Sequence, residues 1–550
     1  METAKVLEWG DYLVITLTIA ISVGIGIYYR FAGDRQKTSE EYFSANRSMG
    51  PIAIGICLMV SFMSAITLLG MSSESYDYGT HFIIININYI ISTPIICYAF
   101  LPVFYKLQAT STYEYLEKRF GIHARLLASF VVWLQMLLYS GVVLYAPALA
   151  FETTTGLTRM TSILSVGLTC AFYSSIGGIK AVLITDIFQA VLMFTSLIGV
   201  IAVATYSAGG LGAIFEIANQ GGRIDLLNFS IDPTERHTWW TQIIGATSLS
   251  GLAIYSKYFK CDPKTVKKID KSDMLLPYYV MNSMSAIPGL PGLIVAGVFS
   301  AGLSTISAAL NSLAAITLED YVKPLYSKCT KKQLSPSTSL LLGKFLAFIT
   351  GFLCIALAVI AQHFKNILQT SLTIFAAVGG PLLGLFTLGM LFESANQRGA
   401  VLGSALSLMF SLWISFGSPR PVAQGLPVSI EGCSNETRSF LYKKLEMEHI
   451  TLQEYLHPPI PDKSKFLYLY RISYMWIGPI GFFITIVIGL VTSNLSQFFG
   501  FESPKNINPD LFFPFIAKRI RKRLQTDNGL TAHKYEFKNK TRCNTATTHM

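Results

Sequence analysis

The chain has 550 residues, of which 51% are hydrophobic and only 14% charged, and its mean hydropathy is +0.47. That is too much apolar surface for a soluble core, and it falls in many separate runs of about 20 apolar residues, which excludes a soluble enzyme; the lack of ten-residue alternation excludes a membrane β-barrel. The net charge of +11 would suggest nucleic acid in a soluble protein, but here the basic residues lie mostly in loops between apolar runs and in the tail, which is the positive-inside pattern. The composition predicts an all-α polytopic membrane protein whose partner is the lipid bilayer and not a nucleic acid. Its eight cysteines are scattered, with no CxxC and no metal-ligand spacing.

The N-terminus, METAKVLEWGD, is more acidic than basic, and Arg30 and Arg35 follow the first apolar run at 12–29. This bias puts the N-terminus outside, and no basic leader or cleavage site marks a signal peptide. The segment 38–50, TSEEYFSANRSMG, reads as a charged inside loop. The second span, 51–70, carries Ser61, Ser64 and Thr67 on one helical face. Such a helix can break and expose carbonyls in mid-membrane, which is tolerated only where the backbone lines a cavity; the other reading is a packing face. Spans follow at 82–105, 126–148, 160–178 and 184–205, with a basic inside loop at 106–125 and an inside turn at Lys180. Asp186 falls within the last of these. A carboxylate at a helix centre costs about 2.5 to 3.5 kcal/mol in the bilayer and normally has a cation or partner; the competing reading is a helix cap beside Lys180.

After six spans the polar stretch 207–240 is outside, and Asn228-Phe229-Ser230 is a glycosylation acceptor there. The next stretch, 238–260, is one helix worth of chain. If 238–259 crossed fully, all that follows would invert and the basic loop 323–332 would lie outside. The chain is therefore predicted to enter and return there, or to sit as a distorted hairpin, leaving Cys261 outside where it could bond Cys433. The segment 292–321 is long enough to cross, yet carries Ser300, Ser304, Thr305, Ser307 and Ser312; Ala301, Ser304 and Thr305 share a face. Neutral oxygens of this kind suit sodium, although small and hydroxyl residues in membrane helices more often serve close packing. Spans follow near 340–361, 367–392 and 399–416, then a polar loop with the acceptor Asn435-Glu436-Thr437, and a last span to about 491. The tail, with KRIRKR at 518–523, suits an anionic inner leaflet or a solvated inside end, the second being commoner.

The run FSAGLSTISAALNSLAAITLEDYVKP resembles the signature helix of the sodium/solute symporter family, where FSGSLST is followed by NSLAA and VED. Segment 38–50 resembles the family's YF…GRSM element, and 173–189, YSSIGGIKAVLITDIFQ, its element ending in AVVWTD and Gln. Segment 376–400 is similar to the monocarboxylate, multivitamin and iodide branch. The resemblance covers about residues 9–500. It implies an inverted-repeat broken-helix transporter fold over 1–500, with a first repeat at about 51–205, a second at about 238–392, and a cytoplasmic basic tail at 501–550. It implies a sodium site built from the carbonyls of Val60, Met63 and Ala301 and the hydroxyls of Ser304 and Thr305. Asp186 and Gln189 would lie on the inner sodium path, and Ser64 and Thr67 at the substrate cavity.

Two departures stand out. Ala301 and Gly302 occupy positions where the family usually has Gly and a hydroxyl residue. Between the outer loop and the CDP motif the family has two full helices, including its second broken one, but roughly 55 residues are absent here. That leaves about 12 spans where the family has 13, with a helix missing near 245–250. The implied function is sodium-coupled symport of a small organic anion across the plasma membrane by alternating access, with Na+ as the co-transported ion and no organic cofactor. The missing helix motivates a rival, a transport-incompetent or regulatory variant of the same fold. An intramembrane enzyme finds no support in a His pair or paired carboxylates within spans.

Overall fold

The computed structural model describes residues 7–31, 42, 50–81, 85–107, 111–224, 228–230, 232–236, 249–364, 366–421, 425–449, 451–456, 462–501 and 508–526. Most of the 38–50 loop, the first half of the 238–259 stretch, the side chain of Lys180 and the tail past 526 lie outside the described residues. Among those described, every regular element is helical. Among the described residues, nine helices are long and apolar enough to cross a membrane, or ten if one bent pair counts as a span. Long and short together, the helices begin in chain order with α1 (Trp9–Phe31), α2 (Pro51–Phe62), α3 (Ala65–Tyr78), α4 (Ile85–Ile95), α5 (Leu101–Leu107), α6 (Thr112–Arg119), α7 (Ile122–Thr155), α8 (Arg159–Ala208) and α9 (Leu211–Gln220). There follow α10 (Leu249–Tyr258), α11 (Leu275–Met284), α12 (Leu290–Ile316), α13 (Lys323–Thr330), α14 (Pro336–Ala361), α15 (Ile367–Leu391), α16 (Gln397–Phe416), α17 (Asn435–Glu448) and α18 (Tyr474–Phe498).

The chain forms two compact units, one made of Met1–Asn88, Phe130–Ala376 and Ile414–Ile477, the other of Tyr89–Ser129, Ala377–Trp413 and Gly478–Met550. In the first, α12 is the central element, with 89% of its membrane-length window buried. Its small residues let neighbours approach: a Cβ at Gly292 would meet the Asp11 backbone at 2.5 Å, and one at Gly302 would meet Pro147 Cγ at 2.7 Å. Glycine at 302, where the family more often has a hydroxyl residue, is thus the close approach between α12 and α7. The start of α12 is held by Asp11, whose Oδ1 accepts from Gly292 N–H at 2.8 Å, a carboxylate on a helix N-terminus.

Two differences from the predicted spans follow from the backbone. Helical hydrogen bonding runs unbroken through 159–208, where two spans joined by a turn at Lys180 are expected. No proline occurs in that stretch, so no N–H is missing from the ladder. Its membrane-length part is Ala181–Ala208, and Arg159–Phe172 is a shorter apolar part. The 82–105 span is α4 and α5 joined through a π turn at Ile96–Phe100, just past Pro94.

Of the stretch after 236, the described part is the short helix α10. Helix α10 has 10 residues, or about 15 Å, half of a bilayer core of about 30 Å. Before it, Arg236 pairs with Glu74 of α3; after it, Asp262 accepts from Tyr76 Oη of α3 at 2.7 Å. Both sides of the stretch therefore meet the same end of α3. There Cys261 and Cys433 form a disulfide, flanked by backbone bonds from Gly432 to Lys260 and from Asp262 to Ser429. On intact cells, a membrane-impermeant thiol reagent should label this pair after mild reduction, and Asn435 should carry a glycan. Labelling only after permeabilisation, with Asn435 bare, would mean that the chain crosses.

In the second unit, the sequences Gly380-x-x-x-Gly384 of α15 and Gly399-x-x-x-Gly403 of α16 both face α18. A Cβ at Gly380 would meet the Gly478 carbonyl, and one at Gly403 would meet Gly489 N at 2.8 Å. Glycines at this spacing bring membrane helices into backbone contact.

Candidate functional site

The site is organised by the break between α2 and α3, which bend by 53° at Met63 and Ser64. Ser64 is extended and opens α3 as its N-cap residue. The N–H groups that would close a continuous helix onto Val60 and Met63 belong to Ser64 and Thr67. They donate instead to Phe62 and Ser64, at 3.1 and 2.9 Å. The break thereby turns the Val60 and Met63 carbonyls away from their regular partners, and a buried carbonyl without a donor favours a cation.

Ser61, next to Val60, joins the break to two other helices. Its Oγ donates to Asp186 Oδ2 of α8 at 3.4 Å, and its carbonyl accepts from Thr305 Oγ1 of α12 at 2.9 Å. Thr305 also donates to the Ala301 carbonyl at 3.1 Å. Val60, Ala301, Ser304, Thr305, Asp186 and Gln189 are all buried. Among the described residues, Ser300 Oγ and both amide atoms of Gln189 find no hydrogen-bond partner, while Ser304 Oγ lies beside the Asp186 carboxylate without a close bond. Each atom without a partner costs about 1 to 3 kcal/mol to bury. Neutral oxygens beside one carboxylate form a donor set for a small hard cation. Asp186 lies well inside the continuous α8, so it caps no helix start.

Ser64 is buried and Thr67 half-buried, one turn beyond the break. Asn228 is engaged: its amide donates to Glu235 and its Oδ1 accepts from Ser230 N–H. Asn435 is exposed at the start of α17.

At the other end of α3 lies a cluster that sequence reasoning passed over. Glu74 is 1% exposed and accepts a two-pronged ion pair from Arg236, which also donates to Gln369 Oε1 of α15 at 3.0 Å. The guanidinium stacks 4.0 Å over Tyr78. Glu74 lies beyond the expected span 51–70, in the polar run SSESYDY at 72–78, so hydropathy did not mark it as buried. Beside it, Asp273 accepts from Ser73 Oγ at 3.3 Å and from the first N–H of α15, on Ile367, at 3.2 Å.

Burial pushes the Asp273 carboxyl from 3.8 up to about 6, against the lowering effect of these hydrogen bonds. Since the folded value exceeds the unfolded one, its stabilising contribution is complete below pH 3.8 and lost as pH rises through about 6. The difference amounts to about 3 kcal/mol at most. Asp273→Asn should therefore flatten the fall in thermal stability between about pH 4 and pH 7. Parallel profiles for wild type and variant would contradict this.

Comparison with known proteins places these features. Residues 42–237 and 234–406 match the sodium:solute symporter family, in two segments that meet at 234–237. A Drosophila melanogaster protein named for sodium-dependent multivitamin transport is 44% identical over 93% of this chain and 92% of its own. Human sodium-coupled monocarboxylate transporter 1 is 37% identical, with 88% and 86% covered. The Drosophila alignment is 566 positions long yet takes in 93% of these 550 residues, so about 55 positions have no counterpart here. A solved structure of a Na+-coupled sialic acid symporter in a substrate-bound outward-open state has the same fold, with a TM-score of 0.68 at 21% identity, covering 89% of this chain and 98% of that one.

Proposed function

This chain belongs to the sodium:solute symporter family, whose members matched here are transporters and not enzymes, and we propose that it couples sodium entry to uptake of a small organic anion across the plasma membrane. The observation that carries this reading is the meeting at Ser61. The Ser61 carbonyl, next to Val60 at the break, accepts from Thr305 Oγ1, which also donates to the Ala301 carbonyl of the α12 face. In this reading Val60, Met63, Ala301, Ser304 and Thr305 ligate sodium, Asp186 and Gln189 receive it on the inner path, and Ser64 and Thr67 face the substrate. The organic-anion assignment rests on the named monocarboxylate and multivitamin relatives.

Sodium bound between α2 and α12 favours the arrangement in which the two meet, so its binding energy shifts the population between outward- and inward-open states. A potential of about 100 mV contributes about 2.3 kcal/mol per sodium, and a tenfold gradient about 1.4 kcal/mol. One sodium per monoanion cancels the voltage contribution, so strong accumulation requires two. The N-terminus lies outside and the tail in the cytoplasm. Asp186→Asn should raise the sodium concentration for half-maximal uptake; an unchanged value would leave Asp186 a structural partner of Ser61.

A second reading has its own observation. The family match divides at 234–237, the described part of the stretch that follows holds the ten-residue α10, and about 55 positions of a relative are unmatched. The second repeat, at about 238–392, then lacks a membrane helix near 245–250, and the chain is a regulatory or transport-incompetent variant that retains the sodium site. Sodium-dependent thermal stabilisation without sodium-dependent uptake would select this reading, and uptake with sodium would select the first.

A further inference from the structure

The helix 514–526 packs within the second unit through one face, and its opposite face is exposed among the described residues. Phe513, just before it, and Ala517 and Ile520 within it follow the i, i+4, i+7 pattern and are all buried, in a cluster with Tyr115 and Leu388. The docking is anchored by polar contacts. Phe513 N–H donates to the Met390 carbonyl at the end of α15, and Tyr115 Oη donates to the Leu511 carbonyl, both at 3.0 Å. Arg119 closes the same α15 end, donating to Gly389 and Phe392 carbonyls while stacking on Phe512.

The outward face repeats at i, i+3, i+4 and i+7 as Phe515, Lys518, Arg519 and Lys522, all exposed; Phe515 stacks on Phe513 at 5.8 Å yet stays 60% exposed. The other two cations are used within the protein: Arg521 pairs with Asp510, and Arg523 with Glu393 at 2.6 Å. Lys518, Arg519 and Lys522 make no ion pair among the described residues. The helix also sits where membrane-length helices end. Leu391 of α15, Gln397 of α16 and Phe498 of α18 are at this edge, tied by Asn396 contacts to Ser493 and Ser496, and the exposed rings of Phe498, Phe499 and Phe501 mark it.

A solvated basic helix has no use for an outward phenylalanine among its cations, whereas a helix in the headgroup layer uses both, the ring in the acyl boundary and the cations on phosphates. We propose that helix 514–526 lies on the membrane surface, with Phe515 inserted and Lys518, Arg519 and Lys522 bound to anionic phospholipid headgroups. That this surface is the inner leaflet rests on the orientation proposed above. The docked face fixes α15 to the helix, so anionic lipid also holds the end of α15 in register with the membrane plane.

The test uses the full chain in nanodiscs containing photo-crosslinkable phosphatidylserine or phosphatidylcholine, with labelled peptides mapped. Nanodiscs offer the same lipids to both faces, so the result is independent of orientation and of transport. The serine probe should label peptides within 514–526 several-fold more than the choline probe. Lys518→Gln, Arg519→Gln and Lys522→Gln together should remove that preference, leaving labelling beside α1 unchanged as a folding control. Phe515→Ser, which alters no charge, should lower labelling by both probes. Equal labelling by the two probes, a preference that survives the triple substitution, or complete competition by a soluble inositol polyphosphate would each overturn the proposal, the last by pointing to a free phosphate ligand. Capture of an acidic soluble protein on this face with no lipid labelling would overturn it as well.

Discussion

Replacing Ser304 and Thr305 together by alanine should abolish sodium-dependent uptake while leaving surface delivery near the wild-type level. The two hydroxyls take up little volume, and among the described residues Thr305 Oγ1 bonds to the carbonyls of Ser61 and Ala301, so their loss removes oxygens from the break without opening a large cavity. Ser304 Oγ lies beside the Asp186 carboxylate, which keeps the Ser61 hydroxyl when that oxygen is removed. The same variant provides a binding test without transport. Sodium at about 100 times its dissociation constant should stabilise the wild type by about 2.7 kcal/mol relative to an equal concentration of choline, and should leave the double variant unmoved. Full sodium stabilisation of the variant would remove these residues from the site.

The second large effect concerns the clasp at the far end of α3. Arg236→Ala should cost about 3 to 5 kcal/mol, because Glu74 would keep its charge in a site 1% exposed with its cation gone. The loss should appear as a lower melting temperature in detergent and as poor surface delivery. Combining Glu74→Gln with Arg236→Met should recover more than half of it, since removing both partners strands neither. A loss below about 1 kcal/mol for Arg236→Ala would place the pair with ordinary surface bridges. Because Arg236 also reaches Gln369 of α15, the double variant is expected to alter uptake even where it restores stability.

The helical membrane architecture was legible because apolar runs of spanning length are dictated by the bilayer, and the signature run FSAGLSTISAALNSLAAI marked the family. The face of Ala301, Ser304 and Thr305 could be read from helical spacing alone. What could not be read was which groups meet it. Ser61 was visible only as one hydroxyl on a face, and its bonds to both Asp186 and Thr305 depend on how three helices separated by over a hundred residues pack. The Glu74–Arg236 pair was hidden for the same reason, with 162 residues between the partners. The turn expected at Lys180 failed differently. A charged residue between apolar runs signals a boundary in hydropathy, but it does not by itself interrupt backbone hydrogen bonding.

The most direct test of the sodium-coupled reading is uptake of labelled lactate, biotin, pantothenate and iodide into cells expressing the full 550-residue chain, with sodium present and with sodium replaced by choline. The account predicts that at least one organic anion accumulates only with sodium, and that Ser304→Ala with Thr305→Ala reduces this to the choline level. No sodium-dependent uptake of any of the four, from a chain shown to be at the cell surface, would contradict it.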